Sequence, residues 1–298
     1  MVLLLAMLLW AGAAAAQGPN PQFPLYGVDY TAERMIALRT VDDRADKGTI
    51  RLVSHVYRPL KNDRGEVVVS LHGSLGGIAV WPGQPLPTPS HLALLLRRGY
   101  TVVLPMRRGI GESTGHYVEE CPFHAGKCTL SGYRTMTDEA LAEATLSTEA
   151  VVDQVVLAKL KPRDGKFLLW GGSRGGLLAL HYAGLHPDQV RGVVAVSPGW
   201  LSMTNKWPAE ENASRLELQS RILAEAGRRF RGPTLWVYAD RDPFYAEALS
   251  RQMFGAFQRA GGSGRYWQVH DETLRSGHVP PVEAWRSEAE SFLDRLSR

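Results

Sequence analysis

Three observations predict an α/β fold with a mostly parallel central sheet and helices on both faces. Segments that read as strands alternate with segments that read as helices along most of the chain. Several strands are short, continuous apolar runs, as strands buried on both faces must be. One of them, Phe167-Leu168-Leu169-Trp170, runs into a glycine turn that opens directly onto a helix.

Taken in order, residues 35–40 and 49–57 read as two strands around the polar turn at 42–48, after an extended Pro/Gly-rich lead-in at 18–30. The β-branched run at 66–71 is a third strand and ends in His72-Gly73-Ser74. A helix is expected over 91–98 and a strand over 100–104. A long helix follows over 137–161, with Leu141, Leu146, Val152, Val155 and Val156 supplying most of its apolar face. After the strand at 167–170, a helix is expected over 177–185 and strands over 191–197, 234–238 and 266–269. A closing helix covers 282–296. Two segments interrupt the alternation: 109–133, and 200–231, whose middle (209–230) should be helical. Both read as cap-like excursions. Trp200, Met203 and Trp207 either line a pocket from above or pack the second excursion on itself.

The turn Gly171-Gly172-Ser173-Arg174-Gly175-Gly176 is the most informative feature. A G-x-S-x-G turn between a buried strand and a helix lifts a serine hydroxyl clear of the sheet on a sharp bend. Phosphate binding is the other use of glycine turns in this position. The sequence has no G-x-x-x-x-G-K-[ST], and no suitably placed acidic residue follows the turn.

Serine is a poor nucleophile at neutral pH and needs a base, itself oriented by a third group. On such a sheet the partners follow in the order acid, then histidine, on loops after later strands. Asp242, in the loop after the strand at 234–238, is the expected acid, with Asp240 the alternative. His278, in Ser276-Gly277-His278-Val279-Pro280, is the expected base. His270 ends a strand and reads as structural, as do His181 and His186 on the helix after the turn. Two backbone N–H groups should hold the oxyanion, those of Arg174 and Ser74. The Arg174 side chain is expected to pair with a nearby Asp or Glu or, alternatively, to meet a substrate carboxylate.

Composition bounds the rest. The chain has 298 residues, 44% hydrophobic and 21% charged, which suits one sizeable domain over 17–298. A net charge of +4 without a basic run argues against nucleic-acid binding. Residues 2–16 are almost all apolar, too short for a comfortable span, and end in Ala14-Ala15-Ala16. Residues 1–16 therefore read as a signal peptide cut near Ala16/Gln17, although no Lys or Arg precedes the apolar run; a retained anchor is the alternative. Export makes the protein secreted or periplasmic. In an oxidising compartment Cys121 and Cys128 are expected to close a small disulfide loop rather than bind zinc, adding roughly 2–3 kcal/mol.

The ordered motifs LHGS, RRGIGESTG, GGSRGG, ADRDPF and SGHVP resemble the α/β-hydrolase superfamily from about residue 30 to the end. The doubled glycines around Ser173 are most similar to the dienelactone-hydrolase-like branch and to the catalytic domains of prolyl-oligopeptidase-type peptidases. The resemblance implies an α/β-hydrolase fold and a Ser173, Asp242, His278 triad. Two departures stand out. Met106 occupies a position where many relatives carry Asp, and serine replaces the cysteine nucleophile of dienelactone hydrolases proper. The expected function is a serine hydrolase acting on a carboxylic ester, without metal or organic cofactor. A peptidase acting on short peptides and a non-catalytic binding protein on the same fold are the alternatives. Oligomeric state is not legible in the sequence.

Overall fold

A computed structural model describes residues 27–74, 90–119, 130–274 and 277–297. Eight strands form one sheet: β1 (Tyr30–Asp42), β2 (Lys47–Pro59), β3 (Glu66–Leu71), β4 (Tyr100–Pro105), β5 (Phe167–Gly172), β6 (Val190–Val196), β7 (Pro233–Ala239) and β8 (Ser263–Val269). Their spatial order is β1-β2-β4-β3-β5-β6-β7-β8. β1 and β2 form an antiparallel hairpin, and β2 meets β4 antiparallel. Every pairing from β4 to β8 is parallel. Burial follows position. All six residues of β3 and of β4 are buried, whereas β1 exposes much of its length, as an edge hairpin with one solvated face should.

The apolar side chains of the strands divide by parity. Phe167 and Leu169 of β5 face one core, and Leu168 and Trp170 face the other. The first core is covered by α2 (Leu130–Val151), α3 (Arg174–Leu185), α4 (Ala209–Arg229) and α5 (Glu247–Arg259). The second is covered by α1 (Leu92–Arg97) and α6 (Arg286–Leu296). Each large apolar side chain buried this way contributes about 1.5–3 kcal/mol relative to exposure. Among the described residues no helix is long and apolar enough to cross a membrane.

Three elements depart from expectation. The helix expected over 137–161 begins at Leu130 and widens over Val152–Leu160 into i→i+5 turns, with Lys161 N donating to Val156 O at 2.9 Å. Leu146 is not on its apolar face but 48% exposed; Leu141, Ala144, Val152, Val155 and Val156 are buried. A five-residue step from Leu141 turns a helix by about 500°, which carries position 146 away from the core. Second, α3 starts at Arg174, directly after the turn, rather than at 177. Third, α5 was not anticipated. Its Ser250, Met253, Phe254 and Phe257 are buried at the i, i+3, i+4, i+7 spacing of an amphipathic helix.

In the 200–231 segment, Trp200 and Met203 are buried in the first core, so there the segment packs into the body of the domain. Trp207 lies beneath the Arg215 guanidinium, 4.1 Å from the ring centre. The helix α4 packs against α3 at Gly184, where a Cβ would stand only 2.8 Å from Ala226 Cα. Cys121 and Cys128 lie outside the described residues, as does the apolar stretch at 2–16.

Candidate active site

The chain leaves β3 toward β4 on one side and then crosses back to β5 on the other. Such a reversal opens a crevice at the carboxyl ends of the two neighbouring strands. The β3–β5 register, with Leu71 opposite Gly171, brings His72-Gly73-Ser74 beside Gly172-Ser173 at that crevice.

The turn is too tight for any residue but glycine at two positions. A Cβ on Gly171 would lie 2.1 Å from Gly175 O, and one on Gly175 would lie 2.1 Å from Leu71 O. Ser173 itself has φ 53° and ψ −123°, a conformation that costs a non-glycine residue of order 1–3 kcal/mol. The surroundings enforce it. Ser173 N donates to Val196 O at 2.8 Å, and Ser173 O accepts from Gly176 N, Leu177 N and Gly199 N at 2.9–3.2 Å.

His278 Nε2 lies 2.9 Å from Ser173 Oγ. Its Nδ1 lies 3.1 and 3.2 Å from the two carboxylate oxygens of Asp242. The Asp242 side chain is wholly buried, and its Oδ1 also accepts from Phe244 N at 2.9 Å and Tyr245 N at 3.1 Å. These amides fix the carboxylate in an Asx-type turn. Phe244 meets the His278 ring edge-on at 4.7 Å between ring centres, and Tyr245 flanks it at 5.8 Å. Gly277 admits the histidine loop: its N donates to Arg241 O, and a Cβ there would lie 2.5 Å from Asp242 N. Val279 is held at φ 53° with its N–H donated to Ser197 Oγ at 3.2 Å. A β-branched residue at that φ is a genuine outlier, and it adjoins His278.

Of the two aspartates considered, Asp242 joins Ser173 and His278. Asp240 instead pairs with His270 Nδ1 at 2.8 Å and accepts from Gln268 Nε2 at 2.9 Å. Burial raises the Asp240 carboxyl, but these hydrogen bonds outweigh it and hold it below the ordinary carboxylate range. His186 pairs with Glu149 at 2.7 Å, away from the site, and burial pushes His181 below the usual histidine value.

The Ser74 loop lies against the serine: a Cβ on Gly73 would be 3.2 Å from Ser173 Cβ. Arg174 is the first residue of α3, so its N–H belongs to the open end of the helix. Its guanidinium crosses Trp200 at 5.3 Å and donates to Trp200 O at 3.2 Å and Glu119 O at 3.1 Å. The sequence reading did not single out Arg107, Glu119 or Ser197. Arg107 and Glu119 are both buried, 1% and 2% exposed, and bonded to each other through two N–H···O contacts. Met106, at the departing position, is buried and packs beneath Gly111.

Comparison with known proteins agrees with this architecture. The model of a family described as alpha/beta hydrolase fold matches residues 66–268. Comparison with curated proteins finds no sequence match. Similar solved structures include an esterase from Pyrococcus furiosus, with TM-score 0.55, 16% identity, and coverage of 89% of this chain and 90% of that one. Est1E from Butyrivibrio proteoclasticus, in a structure with ferulic acid bound, gives TM-score 0.57 and 17% identity over 84% and 97% of the two chains. An acylaminoacyl peptidase from Pyrococcus horikoshii gives TM-score 0.58 and 11% identity over 90% of this chain and 41% of its own. Given the family match across more than half of its length, the chain belongs to the alpha/beta-hydrolase-fold family.

Proposed function

We propose that this chain is an exported serine hydrolase that cleaves carboxylic esters through an acyl-enzyme. The single observation that carries the reading is the continuous hydrogen-bonded chain from Ser173 Oγ through His278 to the buried Asp242. In the proposed mechanism Ser173 Oγ attacks the acyl carbonyl while His278 Nε2 takes its proton. Asp242 holds the imidazole with Nδ1–H facing it and stabilises the imidazolium. The Ser74 and Arg174 backbone N–H groups receive the oxyanion. His278 then protonates the departing alcohol, and water, activated by the same histidine, hydrolyses the acyl-enzyme. These steps need no metal or organic cofactor.

An ester is the preferred substrate because an alcohol leaves more readily than an amine, and the similar structures include an esterase. The acylaminoacyl peptidase, similar over 90% of this chain, supports cleavage of short acylated peptides as the second reading. Export rests on the apolar stretch at 2–16 and its Ala14-Ala15-Ala16 ending, with Cys121 and Cys128 proposed to pair after export.

The test is labelling of the mature protein by a fluorophosphonate, beside Ser173→Ala and His278→Ala. Strong labelling of the wild type, lost in both variants, is expected. Competition between matched ester and amide substrates then separates esterase from peptidase. A folded wild type that takes no label would leave a binding protein on this fold as the better reading.

A further inference from the structure

The loop that would supply one oxyanion donor is held from behind by a buried ion pair. Arg107 donates Nε and Nη2 to the two oxygens of Glu119, and this pairing leaves it able to reach the preceding loop. Its Nη1 donates to His72 O at 2.8 Å and its Nη2 to Gly73 O at 3.4 Å. A third brace comes from His72. Its Nε2 accepts from Arg107 N at 3.4 Å, which leaves the proton on Nδ1, and Nδ1 donates to Gly73 O at 2.8 Å. Burial, then the neighbouring Arg107 charge, keeps this imidazole neutral by pulling it well below its usual value.

Gly73 C=O and Ser74 N–H belong to one peptide unit, and no cis peptide occurs among the described residues. In a trans peptide the N–H leaves opposite to the carbonyl. Whatever grips Gly73 O therefore aims Ser74 N–H. The other end of the pair reaches the second donor. Glu119 O accepts from Arg174 Nη1 at 3.1 Å, and Arg174 carries the other oxyanion N–H.

We propose that the buried Arg107–Glu119 pair is a positioning device for transition-state stabilisation: it locks the Gly73–Ser74 peptide in its donating orientation and ties it to Arg174. This rests on the serine-hydrolase reading above. Arg107 touches no reacting atom, so its loss acts on the transition state and not on substrate binding. Without it the Gly73 carbonyl keeps only the His72 bond, His72 O loses its guanidinium donor, and the peptide is less firmly held against turning its carbonyl toward the oxyanion.

The test compares wild type with Arg107→Lys, Glu119→Gln and the apolar double variant Arg107→Met/Glu119→Leu. The double variant leaves no unpaired buried charge. Active sites are counted by exhaustive fluorophosphonate labelling. Hydrolysis of p-nitrophenyl acetate and inhibition by phenylboronic acid, a tetrahedral transition-state mimic, are measured per site. In the double variant kcat should fall about 100-fold, the scale of one lost oxyanion donor. KM should stay within about threefold, and boronate affinity should fall in step with kcat/KM. Arg107→Lys, which keeps the charge but not the fork, and Glu119→Gln should each lose roughly tenfold. Should the Arg107 variants not fold, Glu119→Gln, nearly isosteric and with its backbone carbonyl intact, decides alone. A purely structural pair would lower the melting temperature but leave kcat per site and boronate affinity within twofold of wild type, and that result would overturn the proposal. A wild type that neither labels nor turns over the ester overturns the serine-hydrolase reading, and this one with it. Labelled wild type with unchanged variants overturns this one alone.

Discussion

Two aspartate–histidine pairs stand at the carboxyl ends of β7 and β8, two residues apart in the acid and eight in the histidine. Asp242–His278 is buried, with the side chains 0% and 18% exposed; Asp240–His270 is open, at 44% and 72%. The Nδ1–carboxylate distances differ little, 3.1 against 2.8 Å. The difference lies in what surrounds them. Asp242 has two backbone amides fixing one oxygen and an aromatic wall at its histidine. His278 Nε2 has Ser173 in reach. A histidine–carboxylate contact is thus not in itself a catalytic arrangement. Burial, which strengthens the electrostatics, and a strained serine delivered to the far side of the ring set apart the pair proposed to be catalytic.

The largest expected contrast is in turnover. Asp242→Asn should lower kcat by about 10⁴, because the amide stabilises the wrong imidazole tautomer while leaving the geometry intact. Asp240→Asn should stay within about twofold of wild type. Steady-state hydrolysis of an activated ester measures both, and equal losses would erase the distinction drawn between the pairs.

Stability should separate them next. Asp242→Ala leaves the Phe244 and Tyr245 amides without their buried acceptor and should cost about 1–3 kcal/mol in urea unfolding. His270→Ala removes an exposed contact and should fall within about 0.5 kcal/mol of wild type. If His270→Ala proved the costlier of the two, burial would not be what distinguishes them.

The sequence made one half of this comparison legible and left the other half open. Chain order of serine, acid and histidine follows from the sheet topology, so Ser173 and His278 could be read from their loops. The glycines reported the turn itself, because two of them stand where a Cβ meets backbone at 2.1 Å. Asp242 is preferred to Asp240 in the sequence only for its place just before Pro243, deeper in the loop; the amides of Phe244 and Tyr245 that hold its carboxylate show only in the folded turn. Leu146 was misplaced because five residues do not return a helix to the same face. The missed helix α5 did carry a signal, its i, i+3, i+4, i+7 burial pattern. Arg107 and Glu119 lie twelve residues apart, across a turn, and only the folded chain brings them under the Gly73 carbonyl.

A third histidine sharpens the comparison through pH. His91 stacks on Trp170 at 4.8 Å and lies 2.7 Å from Ser70 Oγ, with no carboxylate among its described contacts. Burial lowers it to about 3. An unfolded histidine takes a proton near pH 6.5. Between pH 6.5 and about 3 the unfolded chain therefore binds the extra proton, and stability falls as pH falls through that window. His91→Gln retains a donor for Ser70 and does not titrate. Its melting temperature should decline less than that of wild type, by several degrees, between pH 7 and pH 4. Parallel curves would show that His91 takes up its proton in the folded state.

The smallest effect concerns the open pair itself. The Asp240 carboxyl lies below its ordinary value in the folded protein. Its contribution to stability is complete above the unfolded value near pH 4 and is lost as pH falls through the lower folded value. Because the pair is exposed, salt should screen most of it. Asp240→Asn should therefore shift the melting temperature by about 1 °C or less at pH 7 in low salt. That difference should shrink both in 1 M salt and on acidification below pH 4. Calorimetry at two salt concentrations reads it. A shift of several degrees that survives high salt would mean that Asp240 is held much as Asp242 is, and the contrast between the two pairs would then have to rest on the position of Ser173 alone.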